Sequence, residues 1–431
     1  MATLILGAQW GDEGKGKLTD HLLSTDAFDI CARAAGGHNA GHSIRTGGQS
    51  YSFHLLPSGL LNPKTDNLIG SGVVFNVEAF FKELGELEAK GVPRVHERIH
   101  VSSRCHINFS LFAAVDGLSE VELGANQIGT TKRGIGPSYS TKAAREGLRL
   151  SDMYNDSFEQ KLRLLADSYR KRYGDLLQYS VEDEIERFKE YKERLRPYLV
   201  DAVEYMRVAQ EQKRSILVEG SQALMLDIDY GTYPFVTSSN TGLGGCIQGL
   251  SLSPFAVKDI IGVVKAYTTR VGSGPLPTEQ KGDPDSESGK IGTALQEIGG
   301  EIGVSTGRRR RCGWLDLVVL RYSTSVNHYT CLNLTKLDVL DTFPTIRIAT
   351  AYITPDGEKL TSFPADLSLL EKCTVEYIDF EGWQTSTRSI RNWSDLPVQA
   401  QKYIELIESY VGVKVTYVGT GQDREDMILR T

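Results

Sequence analysis

Four kinds of chemistry-bearing residue crowd into Gly11-Asp12-Glu13-Gly14-Lys15-Gly16-Lys17. Glycines let backbone N–H groups approach an anion without a Cβ in the way and permit turns with positive φ. The apolar run Leu4-Ile5-Leu6 breaks at Gly7, so the pattern reads as a buried strand opening into a phosphate cradle. Gly11-x-x-x-x-Gly16-Lys17 follows most of the P-loop pattern, but Leu18 stands where that pattern places a magnesium-ligating Ser or Thr. Instead, Asp12 and Glu13 set carboxylates beside Lys15 and Lys17. A phosphate loop that carries an acid must hold a metal, or a proton, as well as the anion.

Further along the chain, other segments offer polar groups at loop positions. Gly36 to Ser43 contains His38 and His42, four apart, but its glycines oppose a helix and no third metal ligand is evident. One of these imidazoles could polarise or protonate an oxygen near neutral pH, or simply cap a backbone carbonyl; the residue types allow both. Ile128 to Tyr139 is rich in Gly, Thr and bases and is followed by Arg145, which suits an anion or a solvated turn. Ser215 to Glu219 reads as a strand ending in Gly220-Ser221-Gln222, and Thr237 to Gly242 as a hydroxyl-rich loop. Val304 to Gly313 holds four consecutive arginines, whose planar forks match carboxylate or phosphate in two bonds. In Thr335-Lys336-Leu337-Asp338 the carboxylate can accept from a guanine's ring N–H and exocyclic amine while the lysine stem covers a face. Adenine has no such donor pair.

The elements that must position these groups alternate between strands and helices. Ile30 to Ala34, Arg98 to Ser102 and Ile260 to Tyr267 read as strands, Val77 to Lys90 as a helix stopped by Gly91. Phe158 to Lys213 is highly charged with helical period and is broken or kinked at Pro197, a solvated elaboration. No repeat or low-complexity linker interrupts the 431 residues, so one continuous α/β unit over 1–431 is expected. A net charge of −7 argues against general nucleic-acid or membrane-surface binding. No signal-peptide core or apolar run of ~20 residues is present, and six scattered cysteines without a C-x-x-C pair fit reduced thiols in a cytoplasmic protein.

Taken together and in this order, GAQWGDEGKGK, GGHNAGHS, IGTTKRGIGP, VTSSNTG, TGRRRR and TKLDVLD resemble the adenylosuccinate synthetase family over most of the chain. The resemblance implies an α/β fold with a large, mostly parallel central sheet flanked by helices, and a homodimer. It also implies GTP-dependent ligation of IMP and L-aspartate with Mg²⁺, in purine biosynthesis, through a 6-phosphoryl intermediate. The implied catalytic residues are Asp12, His42, Lys15 and Gln222, with Asp12 and the carbonyl of Gly41 as magnesium ligands. GTP is expected on Gly11 to Lys17 (Gly11, Asp12, Glu13, Gly14, Lys15, Gly16, Lys17), Gly41, His42, Ser43, Arg310, Lys336, Leu337, Asp338, Gly419, Thr420 and Gly421. IMP and aspartate are expected on Asp12 to Lys15, Asn39, Ala40, Gly41, His42, Thr131, Gln222, Thr237, Val304, Ser305, Thr306, Gly307, Arg308, Arg309 and Arg310, with Arg145 reaching the partner's IMP site. Lys132, Ala223-Leu224-Met225, Val304-Ser305 and Ser43 depart from the family pattern without removing a catalytic group. A GTP-binding switch is the rival reading, poorly served by a loop that lacks the P-loop hydroxyl and carries an acid.

Overall fold

The computed structural model describes residues 1–39, 41–46, 48–124, 127–283, 285–302 and 309–430. At its centre lies the strand Ala2–Gly7, whose register is parallel to Val257–Lys265 on one side and Ile216–Glu219 on the other. Leu4 and Leu6 face one apolar cluster and Ile5 the other, so the strand is buried on both faces, as parallel sheets require. Outward from Ile216–Glu219 run Ile30–Gly36, Asp66–Phe75, Ile99–Ser102 and Leu199–Val200; outward from Val257–Lys265 run Cys331–Thr335, Val415–Gly419 and Met427–Leu429. Every pairing along this path is parallel except the last, Val415–Gly419 with Met427–Leu429. The central strands thus form the mostly parallel sheet expected.

This order has a direct consequence for function. The loops carrying Gly11–Lys17, Gly36–Asn39, Gly220–Gln222, Lys336–Asp338 and Gly419–Gly421 all leave the carboxyl ends of strands in the same sheet. Ligands of open α/β sheets bind outside those ends, where strand order reverses. The helix Lys15–Leu23 is held beneath the sheet by Leu18 and Leu23, which pack on Ile5, Cys31, Leu217, Ile261 and Val263. Burying each such leucine contributes about 1.5–3 kcal/mol, which fixes the helix head under the cradle.

Two regions stand outside this frame. The charged stretch folds as helices Phe158–Tyr173, Val181–Leu195 and Ala202–Glu211, with Pro197 in a 3-10 turn, Arg196–Tyr198, where the second helix ends. Most of its charges are solvated, the buried Glu184 excepted, and Phe158, Leu162, Ile185 and Phe188 form an apolar stripe against Phe109. A smaller sheet joins Leu315–Asp316, Thr345–Ile353, Lys359–Leu360 and Thr374–Glu381. All six cysteines are free thiols, four of them buried. Among the described residues no helix is long and apolar enough to cross a membrane.

Candidate active site

Positive φ at Gly11 (94°), Asp12 (59°) and Gly14 (93°) folds the first loop back on itself. The fully buried Glu13 carboxylate ties the turn: one oxygen accepts from the N–H groups of Gln9 (3.1 Å) and Gly11 (2.8 Å), the other pairs with Lys15 Nζ at 3.0 Å. Its carbonyl accepts from Thr335 Oγ1 at 2.6 Å, anchoring the loop to the carboxyl end of the strand Cys331–Thr335. Glu13 therefore serves the loop's shape, with both carboxylate oxygens taken up by the loop's own N–H groups and by Lys15. Asp12 is the exposed acid of the pair. Arg310 Nε donates to Asp12 Oδ2 at 2.6 Å, while the same guanidinium's Nη1 is buried without a hydrogen-bond acceptor among the described residues.

His42 opens the strand His42–Thr46, which pairs with Gln49–Phe53 in a hairpin rather than lying in a plain loop. Its ring stacks on Phe53 with centroids 5.8 Å apart and 22° between planes. Against its other side lies Gly16, where an added Cβ would come within 2.3 Å of His42 Cδ2. Nε2 stands 3.4 Å from Glu219 Oε1, and Glu219 Oε2 is fixed by the backbone N–H (3.0 Å) and hydroxyl (2.7 Å) of Ser58. Burial lowers the His42 pKa below 6.5 while Glu219 opposes the shift, so the imidazole is neutral at pH 7. Beside it, Gln222 has φ of 52°, its Nε2 donates to Asn39 Oδ1 at 3.4 Å, and its Oε1 is buried and unpartnered among the described residues.

At the other end, Lys336 takes φ of 57° at the strand exit, and its Nζ reaches Gly299 O and Glu301 Oε1, both at 2.7 Å. Asp338 is mostly buried and faces Arg388 at 3.8 Å; burial raises its pKa above the ordinary carboxylate value. Leu337 and Thr420 are buried, and Gly419 pairs with Met427. Lys17 donates to Gly421 O (2.8 Å) and Asp426 O (2.7 Å), and burial lowers its pKa to about 8. The P-loop lysine thus clamps the C-terminal loop to the cradle.

The structure brings together Asp12 with Arg310, Gly16 with His42, Lys17 with Gly421, and Asn39 with Gln222. Ser43, Thr131, Arg145 and Arg309 are exposed; the side chains of Thr131, Arg145 and Thr237 hydrogen-bond to none of these among the described residues. Ala40, Val304, Ser305, Thr306, Gly307 and Arg308 lie outside the described residues. Sequence reading missed Glu219, Glu301, Thr335 and Asp426 as supports. A carboxylate at a strand's carboxyl end was the available signal for Glu219.

A family model described as adenylosuccinate synthetase matches residues 4–428. The chain is 65% identical to the adenylosuccinate synthetase of Pyricularia oryzae, with 100% of each covered. It is 63% identical to that of Neurospora crassa, covering 100% of this chain and 98% of the relative. Among solved structures, fully ligated adenylosuccinate synthetase from Plasmodium falciparum matches with TM-score 0.93 and 38% identity, over 100% of this chain and 99% of that one. A cyanophage S-2L succinoaminodeoxyadenylate synthetase, at 18% identity and TM-score 0.59 over 99% and 95% of the two chains, shares the fold alone. Family model, full-length relatives and fold agree: this chain belongs to the adenylosuccinate synthetase family.

Proposed function

We propose that Asp12 is the acid through which this GTP-dependent ligase converts IMP and L-aspartate to adenylosuccinate. The observation that carries the assignment is an exposed carboxylate held by a left-handed turn inside a phosphate cradle, at the head of a helix. Asp12 takes the ring proton of IMP, and the electron pair moves to the six-position oxygen. That oxygen attacks the γ-phosphorus of GTP and GDP leaves. The amine of aspartate then attacks the ring carbon, loses a proton, and expels phosphate.

Lys15, at the helix head, and the cradle's N–H groups stabilise charge on the transferring phosphoryl group. Neutral His42, fixed between Phe53 and Gly16, donates to the same group through a ring N–H. Asp338 accepts from the guanine, and Gln222, with a free buried oxygen, orients IMP. Arg309 and Arg310 supply forks for the carboxylates of aspartate and for phosphate. The Asp12 carboxylate and Gly41 carbonyl are hard oxygen donors that suit Mg²⁺. Among the described residues no group of three or more His, Cys, Asp or Glu could hold a metal alone, so its other ligands would come from phosphates and water. When bound, the ion would neutralise charge on the phosphates. The cytoplasm and a homodimer are the setting this reading supposes.

Omission assays test the reading directly. With GTP, Mg²⁺, IMP and aspartate all present, GDP and phosphate should accumulate, and leaving out either IMP or aspartate should stop turnover. GTP hydrolysis that continues without them would leave a switch-like GTPase in its place.

A further inference from the structure

Behind the loops lies a buried polar node that the proposed mechanism does not use. Glu301 Oε1 accepts from Lys265 Nζ at 2.9 Å and Lys336 Nζ at 2.7 Å, and the Tyr267 hydroxyl donates to the same oxygen. Lys265 is fully buried and Glu301 nearly so. Two ammonium groups therefore share one carboxylate, and neither Glu301 nor Lys265 can move without stranding a buried charge. Burial pushes the Glu301 pKa up, but the two lysines overcome this and hold it at about 2. Lys336, with about a third of its side chain exposed, is the member of the node that faces the guanine end.

Glu301 also grips the arginine that holds the acid. Arg310 N–H donates to Glu301 O at 2.8 Å, Ile302 and Arg309 form an antiparallel bridge, and Gln296 Nε2 donates to Arg310 O at 2.8 Å. From this stem Arg310 Nε reaches Asp12 at 2.6 Å. Hydrogen bonds to the Glu301 side chain and to its main-chain carbonyl, joined through the residue itself, thus link Lys336 to Arg310, whose side chain reaches Asp12.

We propose that Glu301 is a positioning residue that makes occupancy of the guanine end and the placement of Asp12 one event. The inference rests on the reading of Lys336 to Asp338 as the guanine site and Asp12 as the acid. Guanine nucleotide stacked along the Lys336 stem fixes its ammonium on Glu301, which fixes the Arg310 backbone and so the carboxylate that meets IMP. Coupling of this kind is reciprocal: each nucleotide tightens the other by the same factor.

The test is calorimetric titration of the full chain with IMP, alone and with saturating imido-linked GTP analogue and Mg²⁺. The native protein should bind IMP at least about fivefold tighter with the analogue present. Glu301→Gln should bring that factor close to one while the analogue alone still binds with full stoichiometry; Tyr267→Phe, which keeps the charge and removes one donor, should lower it partway. A merely structural role would lower thermal stability or stoichiometry and leave the factor untouched. An unchanged factor in Glu301→Gln, or in Tyr267→Phe if the first variant does not fold, overturns the proposal. So does native protein that binds both nucleotides independently, whereas native protein that binds no IMP sinks the reading of the site instead.

Discussion

Asp12 holds φ of 59°, a conformation most side chains avoid but Asp and Asn tolerate. That makes Asp12→Asn a clean probe, since the backbone turn survives and only the acid is lost. Turnover should fall at least ~10²-fold, the ordinary range for a missing general base, with near-native thermal stability; retained activity would remove Asp12 from the chemistry. At the opposite end, Asp338→Asn replaces an acceptor pair by a donor and an acceptor. GTP should bind more weakly, and xanthosine triphosphate, whose added carbonyl needs a donor, should become the better phosphoryl donor. Competition kinetics with the two nucleotides decide it, because a site with mismatched polar groups rejects a ligand strongly. At this scale the sequence was legible where partners are near neighbours, as in the turn that Glu13 closes with Gly11 and Lys15. Arg310 on Asp12, 298 positions apart, and Lys17 on Gly421, 404 apart, are products of topology, which residue spacing does not encode.

Elements set the tolerances that these residues need. The helix Lys15–Leu23 passes so close to the hairpin that Gly16 lies against the His42 ring, and the Cβ of Gly16→Ala would sit 2.3 Å from Cδ2. Alanine suits a helix, so the fold should persist while the imidazole is displaced. A shift of about 1 Å can cost up to ~10²-fold, and kcat should fall at least about tenfold with KM for GTP changed far less. An opposite split is expected away from the site, at Asp316. Its carboxylate caps the helix Leu317–Asn327 through the N–H groups of Val318 (3.0 Å) and Val319 (3.2 Å) and accepts from the buried Tyr352 hydroxyl at 2.7 Å. Asp316→Ala removes the cap, about 1 kcal/mol, and leaves a buried hydroxyl unpaired, about 1–3 kcal/mol more. The urea midpoint should drop accordingly while KM values hold. Strands such as Ala2–Gly7 and Ile216–Glu219 were legible as apolar runs that stop at a glycine, because a parallel sheet buries both faces. The hairpin His42–Phe53 was passed over, although Gly47-Gly48 between two polar-apolar runs is a turn signal, because its strands are short and half exposed.

At the scale of the whole molecule, one sheet delivers the loops of Gly11–Lys17, Gly220–Gln222, Lys336–Asp338 and Gly419–Gly421 to the same edge. Arg145 does not join them. It caps the helix Ile135–Ala144 with φ of 66°, is exposed, and its side chain has no ion-pair partner among the described residues. A cation displayed this way suits a phosphate on another subunit, and a two-fold dimer would place each Arg145 in its partner's site. Mixing variants tests this without a structure of the complex. Arg145→Leu should raise KM for IMP in both sites of its dimer, and Asp12→Asn should silence both sites of its own. In an exchanged heterodimer, the site with native Asp12 on the Arg145→Leu subunit receives native Arg145 from the other, and the remaining site carries both defects. Equal mixing gives heterodimers as about half of all dimers, so about a quarter of sites should recover native kinetics. With IMP held well below the KM of the Arg145→Leu variant, activity that rises toward that value after subunit exchange can come only from a site built across the interface. Activity that remains the simple average of the two variants, in samples shown by mass to contain heterodimers, would confine the site to one chain and leave Arg145 a surface charge.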